Sequence, residues 1–159
     1  VQSNRKKSTS TLPPVDQQLC FALYATSLAM TRVYRPLLQP LGLTYPQYIV
    51  LMTLWAEDGL SVSTLGARVA LDSGTLTPLL KRMAQAGWLQ RRRGVDDERQ
   101  VFIHLTAEGR ALKRRAPRIF EQVACATDCS RDALETLTVT LHRLRQSLLR
   151  HADAAPTPR

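Results

Sequence analysis

Apolar residues recur three and four apart over most of this chain, the spacing of helices that bury one face, and one short stretch alternates instead. After Pro13-Pro14, Asp16 is placed to start a helix with Leu19, Leu23, Met30, Val33 and Leu37 inward, and Pro36, Pro40 and Gly42 are expected to end it. Thr44 with Gln47 three residues on makes a capping box, and Pro46 sits in the first turn, where a missing N–H costs nothing. Ile49, Met52 and Trp55 predict the inward stripe of that second helix, which Glu57-Asp58-Gly59 stops. Ser63 is expected to cap a short helix with Leu65 and Val69 inward, followed by a brief turn at Leu71-Asp72. The next helix, 72–86, carries Leu76, Leu79, Leu80 and Met83 on one face and Thr77, Lys81 and Gln85 on the other, and Gly87 closes it. Two helices joined by a tight turn, the second polar on its outer face, form the helix-turn-helix pattern.

The run WLQRRR, the polar turn Gly94-Val95-Asp96-Asp97 and the alternating RQVFIHL predict a β-hairpin, with Val101, Ile103 and Leu105 on one side. Thr106 is expected to cap a helix through Leu112, Ala116, Ile119, Phe120 and Val123 that Pro117 kinks. Ser130 is expected to cap the last helix, whose Leu134, Leu137, Leu141, Leu144 and Leu148 have the spacing of a helix–helix seam. The fold class is therefore mainly α with a small β-hairpin wing.

Composition narrows the function. The 159 residues, 44% hydrophobic and 22% charged, suit one soluble globular domain. No stretch approaches the ~20 apolar residues of a membrane span, and the start does not resemble a secretory signal, so no membrane partner and a cytoplasmic location are expected. Three cysteines, two of them four apart, are no disulfide framework and favour a reducing compartment. Seven glycines and the absence of GxGxxG, GxxxxGK[ST] and GxSxG argue against a phosphate-loop enzyme or a serine hydrolase. Net charge is +9, and residues 81–118, with 11 basic and 4 acidic side chains, hold most of it. A polyanion, most simply nucleic acid, is the expected partner, set against a solvated basic face with no partner.

The order helix, helix, helix-turn-helix, basic hairpin, two long helices resembles the MarR family of dimeric winged-helix repressors over about residues 15–150. The most specific piece is the wing, where Asp97-Glu98-Arg99 and Ile103-His104-Leu105-Thr106 fit the family's D-x-R…[L/I]-x-L-T signature. Within the family, Cys20, Tyr24, Tyr34, Tyr45 and the run LDSGTLTPLLKRM (71–83) are similar to the organic-hydroperoxide-sensing OhrR branch, and Cys125 and Cys129 to its two-cysteine subgroup. The resemblance implies a homodimer on pseudo-palindromic double-stranded operator DNA. Its parts would be a flexible basic arm (1–12), an N-terminal dimerisation and sensor helix (13–43), the winged helix-turn-helix (44–105), C-terminal dimerisation helices (106–151) and a disordered tail (152–159).

An α-helix fits the major groove with its N-terminal side chains at base edges. Ser73, Gly74, Thr75 and Thr77 occupy that part of the helix, Gly74 letting the backbone approach phosphate, while Lys81 and Arg82 suit phosphates one to two turns on. Asp97 and Arg99, two apart, would share a face of an extended strand and pair; the resemblance assigns Arg99 to the minor groove, where negative potential attracts a guanidinium. A bland alternative is an exposed ion pair without function.

Peroxides are attacked by thiolate, and Cys20 falls within the first turn of its helix, where the macrodipole favours an anion. Phenolic hydroxyls can donate to a thiolate. Tyr24 lies four residues on and on the same face. Tyr34, fourteen on, returns within ~40° of that face but ~21 Å along the axis, out of reach of Cys20 in the same unbroken helix. The resemblance brings Tyr34 and Tyr45 of one subunit to Cys20 of the other. The alternative for Cys20 is a small buried hydrophobe. Cys125 and Cys129, four apart, share one face of any helix there, so a sulfenic acid on Cys20 can condense with either and spacing does not separate them; resemblance favours Cys125. His104, His142 and His151 lack ligand spacing, so neither a metal nor a cofactor is expected. The expected function is a redox-sensing repressor, released from DNA when organic hydroperoxide oxidises Cys20, and not an enzyme. Competing readings are a MarR-type repressor released by a lipophilic or phenolic ligand, a thiol peroxidase, and a sequence-blind architectural DNA binder.

Overall fold

A computed structural model of the chain describes residues 12–94, 97 and 99–154. The arm expected over 1–12 lies outside these residues except for Leu12, as do Val95, Asp96 and Glu98 of the hairpin turn and the tail from residue 155. The chain forms two compact units that meet in sequence between Ala116 and Pro117.

The first helix, α1 (Leu19–Leu38), starts later than expected. Val15–Gln17 make one 3-10 turn, and Gln18 is extended (φ −93°, ψ 132°), its side chain donating to the Pro13 carbonyl at 2.8 Å, so Asp16 does not start α1. Pro36 does not end α1 either. The helix runs on to Leu38, tightens into a 3-10 turn (Gln39–Leu41) and stops at Gly42, whose left-handed φ of 68° suits glycine. In α2 (Tyr45–Ala56) the capping box forms as expected, the Thr44 amide donating to Gln47 Oε1 at 2.8 Å. The inward stripe, however, is Tyr48, Leu51 and Leu54 with Val50, while Met52 is exposed and Ile49 and Trp55 are half-buried. Apolar residues cover almost the whole of α2, so periodicity leaves the face undecided and packing against its neighbours decides it.

A two-residue strand, β1 (Leu60–Ser61), follows, then α3 (Val62–Val69) and α4 (Ser73–Gln85). β1 pairs antiparallel with β3 (Val101–Leu105), which also pairs with β2 (Leu89–Arg93), giving the order β1-β3-β2. Pairing of Ser61 with Phe102 keeps Ser61 extended, and Ser61, not Ser63, caps α3 by accepting from the Thr64 amide. The three-residue turn Ala70–Asp72 includes Ala70 at φ 57°. Asp72 caps α4, accepting from the Thr75 amide at 2.9 Å and the Thr75 hydroxyl at 2.8 Å. These hydrogen bonds hold the Asp72 carboxyl below the usual carboxylate range. The hairpin register opposes Leu89 to Leu105 and Arg91 to Ile103, and Ile103 and Leu105 point inward as the alternation predicts. Leu65, Leu76, Leu80, Met83, Leu89 and Ile103 are the buried heart of the winged helix-turn-helix.

Thr106 caps a helix as expected, accepting from the Gly109 amide, but that helix is only α5 (Ala107–Ala111). The chain tightens into a 3-10 turn over Leu112–Arg115 before α6 (Ala116–Ala126) begins. Pro117 is the second residue of α6, a first-turn position that needs no N–H, and so it opens a helix where a mid-helix kink was expected. In the second unit, α6 buries Ile119 and Val123 and leaves Phe120 exposed. Ser130 caps α7 (Arg131–Ala154), donated to by the Ala133 amide at 3.2 Å. α7 continues through Ala154, so residues 152–154 are helical and not tail. Among the described residues no helix is long and apolar enough to cross a membrane, and no group of three His, Cys, Asp or Glu could hold a metal ion.

Candidate functional site

Two sets of residues carry the chemistry. The first is the outer surface of the winged helix-turn-helix. Ser73, Gly74, Thr75 and Thr77 open α4 and are exposed, as are Lys81 and Arg82 a turn or two on. Gly74 has a local reason to be glycine: a Cβ there would stand 3.0 Å from Asp72 Oδ1, so its absence leaves room for the cap. Arg91, Arg92 and Arg93 are exposed along β2, with Arg99 in the turn beyond. Asp97 and Arg99 do not pair across a strand. Both lie in the turn, where the Arg99 backbone N–H donates to Asp97 Oδ1 at 3.0 Å. Such an Asx turn fixes the backbone under Arg99 and leaves its guanidinium to be aimed separately. Among the described residues the ion pairs are Arg68–Glu57 and Arg110–Asp58, neither on α4 or the hairpin.

Between α3 and α4 on one side and the hairpin on the other runs an open cleft of about 440 Å³. Ser63, Ser73 and Thr77 line one wall and Arg91, Arg99 and Gln100 the other. The sequence pointed to Arg91 only as one of several basic residues beside the turn and to Ser63 only as a helix cap, and Gln100 carried no signal, because the cleft exists only once the hairpin folds beside α4.

The second set surrounds α1. Cys20 is the second residue of that helix and is exposed, its Sγ 3.6 Å from Gln18 Oε1. It is not a buried hydrophobe. Tyr24 is exposed one turn on. α1 is continuous from Cys20 to Tyr34, fourteen residues or ~21 Å of rise, so the two do not meet through α1 of one chain. Tyr34 instead stacks on Tyr45 (ring centroids 4.4 Å apart) and touches Tyr48 at 5.7 Å. Burial, with the neighbouring phenols, pushes the Tyr34 hydroxyl up to about 12, and burial also raises those of Tyr45 and Tyr48. All three therefore remain protonated donors through the neutral range. Tyr48 was not foreseen as part of this cluster, although its place three residues from Tyr45 on one helix face was a usable signal. Cys125 is exposed near the end of α6. Cys129 is not on the same helical face, because α6 ends at Ala126 and the turn through Asp128 (φ 52°) carries Cys129 beyond it. There its thiol contacts the Thr127 carbonyl at 3.3 Å.

A helix-turn-helix joined to a basic antiparallel hairpin is a winged-helix DNA-binding domain. Residues 32–116 match the family of SarA/Rot transcriptional regulators. The regulator TtmR of Methylorubrum extorquens is 48% identical over 143 residues, 90% of this chain and 72% of that one. The organic hydroperoxide resistance transcriptional regulator of Bacillus subtilis is 45% identical over 134 residues, 84% and 91% of the two chains. Reduced AbfR bound to DNA superposes with a TM-score of 0.72 at 34% identity, over 87% of this chain and 94% of that one. AbfR, from Staphylococcus epidermidis, is also solved overoxidised on DNA and in a disulfide form. The chain belongs to the SarA/Rot-type regulators of the MarR family and is a winged-helix transcriptional regulator of the MarR/OhrR type.

Proposed function

We propose that the protein is a repressor that holds operator DNA as a homodimer and releases it when organic hydroperoxide oxidises Cys20. The observation that carries this reading is the exposed Cys20 thiol at the N-terminal turn of α1, in a chain 45% identical to a regulator named for organic hydroperoxide resistance. The thiolate attacks the peroxide O–O bond, giving Cys20 sulfenic acid and an alcohol. A Cys125 thiol then displaces water from the sulfenic sulfur and forms a disulfide between subunits, with Cys129 as the alternative thiol. AbfR is described both overoxidised on DNA and in a disulfide form, which supports the bridge, and not oxidised sulfur alone, as the releasing event. Tyr34 and Tyr45, held protonated by burial, act as hydrogen-bond donors to the Cys20 thiolate of the other subunit, and Tyr24 as a nearer donor on the same face.

On DNA, Ser73, Gly74, Thr75 and Thr77 face the major groove, Lys81 and Arg82 hold phosphates, and Arg99, on the turn that Asp97 shapes, enters the minor groove. The sugar-phosphate strand between those grooves runs in the cleft, against Arg91 and the Ser63 hydroxyl. The exposed apolar faces of α1 and α7 are the surfaces for a second copy.

The test uses DNA selected from a random pool by the reduced protein. Binding is measured before and after one equivalent of cumene hydroperoxide. Wild type is expected to release the DNA and to run as a covalent dimer on a non-reducing gel. Cys20→Ser should stay bound, and Cys125→Ser should be oxidised at Cys20 yet stay bound. Release by Cys20→Ser refutes the mechanism, and a covalent dimer of Cys125→Ser transfers the resolving role to Cys129. Steady consumption of hydroperoxide under excess dithiol, with DNA still bound, would mark a peroxidase.

A further inference from the structure

The stacked pair Tyr34–Tyr45 and the hairpin lie at opposite ends of α2, and an unbroken series of contacts joins them. Tyr45, Tyr48 and Trp55 fall on one face of α2, at spacings of three and seven residues. Tyr48 is only 2% exposed, wedged between the ring of Tyr34 at 5.7 Å and the indole of Trp55 at 5.8 Å, edge on. A close-packed ring with no free volume passes displacement to its neighbour. Trp55 is held by two further hydrogen bonds, one through its indole and one through its backbone. Its Nε1–H donates to the Gly109 carbonyl at 2.9 Å, and its own carbonyl accepts from Lys113 Nζ at 3.1 Å.

Gly109 in turn abuts the hairpin. A Cβ on it would overlap the Trp88 carbonyl oxygen and meet Leu105 Cδ2 at 3.2 Å. Its amide donates to Thr106 Oγ1, while the Thr106 amide and hydroxyl donate to the carbonyls of Trp88 and Gly87, the two residues that lead into β2. The indole is thereby joined, contact by contact, to the root of the strand that carries Arg91.

We infer that Trp55 is the positioning residue that couples the tyrosine pair to the wing, its indole relaying the place of the Tyr48 ring to the Gly109 backbone beneath β2. This rests on the redox reading, in which Tyr34 and Tyr45 donate to the Cys20 sulfur of the other subunit until the disulfide forms. In the reduced protein the stacked phenols hold Tyr48 and Trp55 where the hairpin matches DNA. When the bridge to Cys125 draws the Cys20 sulfur away, the phenols lose their acceptor and the ladder takes its second arrangement, moving the wing. Two discrete packings of a tight core are the usual basis of such coupling.

The decisive variant is Trp55→Phe, which keeps an aromatic ring against Tyr48 and removes the donor to Gly109. Affinity for the selected DNA is measured for the full-length protein, reduced and after one equivalent of cumene hydroperoxide, with Cys20 oxidation followed by mass spectrometry. Trp55→Phe should bind DNA when reduced and be oxidised like wild type, but the ratio of reduced to oxidised affinity should shrink by about tenfold, within the span of ordinary coupling energies. An unchanged ratio at equal Cys20 oxidation overturns the inference. A second readout needs no core substitution: the Trp55 indole ¹⁵N–H resonance should shift on oxidation of the native protein and stay still in Cys20→Ser. A resonance that does not move while DNA is released overturns the relay even if Trp55→Phe folds poorly. If wild type itself is not released, the redox reading fails and the inference falls with it.

Discussion

The winged helix-turn-helix and the long helices that flank it carry similar apolar periodicity and end very differently. Leu65, Leu76, Met83 and Ile103 are at most 1% exposed, so α3, α4 and the sheet bury their stripes within the chain. α7 buries no residue and α1 only Leu38, while Leu137, Leu141 and Leu148 on α7 and Leu19, Tyr24 and Leu28 on α1 are 39–61% exposed. A helical stripe announces that a face seeks burial and is silent about the partner. In the first region the partner is the next element of the same fold. In the second, the partner is a second copy under the proposed function.

Substitutions should separate the two regions by what they damage. Leu65→Ala is expected to have the largest effect on the fold, a loss of about 2–5 kcal/mol in denaturant unfolding, because a fully buried leucine leaves a cavity. A loss below 1 kcal/mol would show that the core relaxes around the gap. Leu137→Asp with Leu141→Asp should leave the winged domain folded by circular dichroism yet give a monomer in sedimentation. DNA binding should then drop by about a hundredfold or more, as two linked half-site contacts become one. A dimer that survives both aspartates moves the interface away from α7. Arg99→Ala should keep the dimer and weaken DNA binding by about 1–3 kcal/mol, while Lys81→Ala weakens it less and uniformly across sequences, lowering the salt slope by roughly one. Equal effects of the two would mean the wing reads no more than charge.

The smallest effect concerns the junction between α2 and the sheet. Asp58 is partly desolvated, which alone would raise its carboxyl, but the Leu105 and Gly59 amides and Arg110 outweigh this and hold it below 3.8. Its Oδ1 accepts from the Leu105 amide at 2.8 Å, joining the end of α2 to β3. A depressed carboxyl favours the folded state above its unfolded value, and that contribution disappears as pH falls from 3.8 through the lower folded value. Acid titration of thermal stability should therefore show a limb below 3.8 that Asp58→Asn flattens. Identical limbs in the two proteins would assign it to other carboxylates.

Much of this molecule is legible in its sequence, because much of it is local. The capping box at Thr44 and Gln47, the caps at Thr106 and Ser130, the turn between α3 and α4 and the alternation in β3 depend on residues within a few positions of one another. The charge concentrated around the hairpin and the motif of its turn were likewise enough for the family. What the sequence left undecided needed partners far along the chain. Ser61 caps α3 because a two-residue strand pairs with β3 some forty residues later, and two residues carry no periodicity. The inward face of α2 was settled by packing, since its apolar residues cover almost every side. Cys129 left the face of Cys125 because α6 ends at Ala126, and Tyr48 and Trp55 became a continuous ladder only when α1, α2 and α5 were brought together. Composition and periodicity determine which segments become helix or strand and which charges they expose. Only the tertiary structure decides which face is buried and which side chains meet, because those contacts close loops whose ends carry no record of each other.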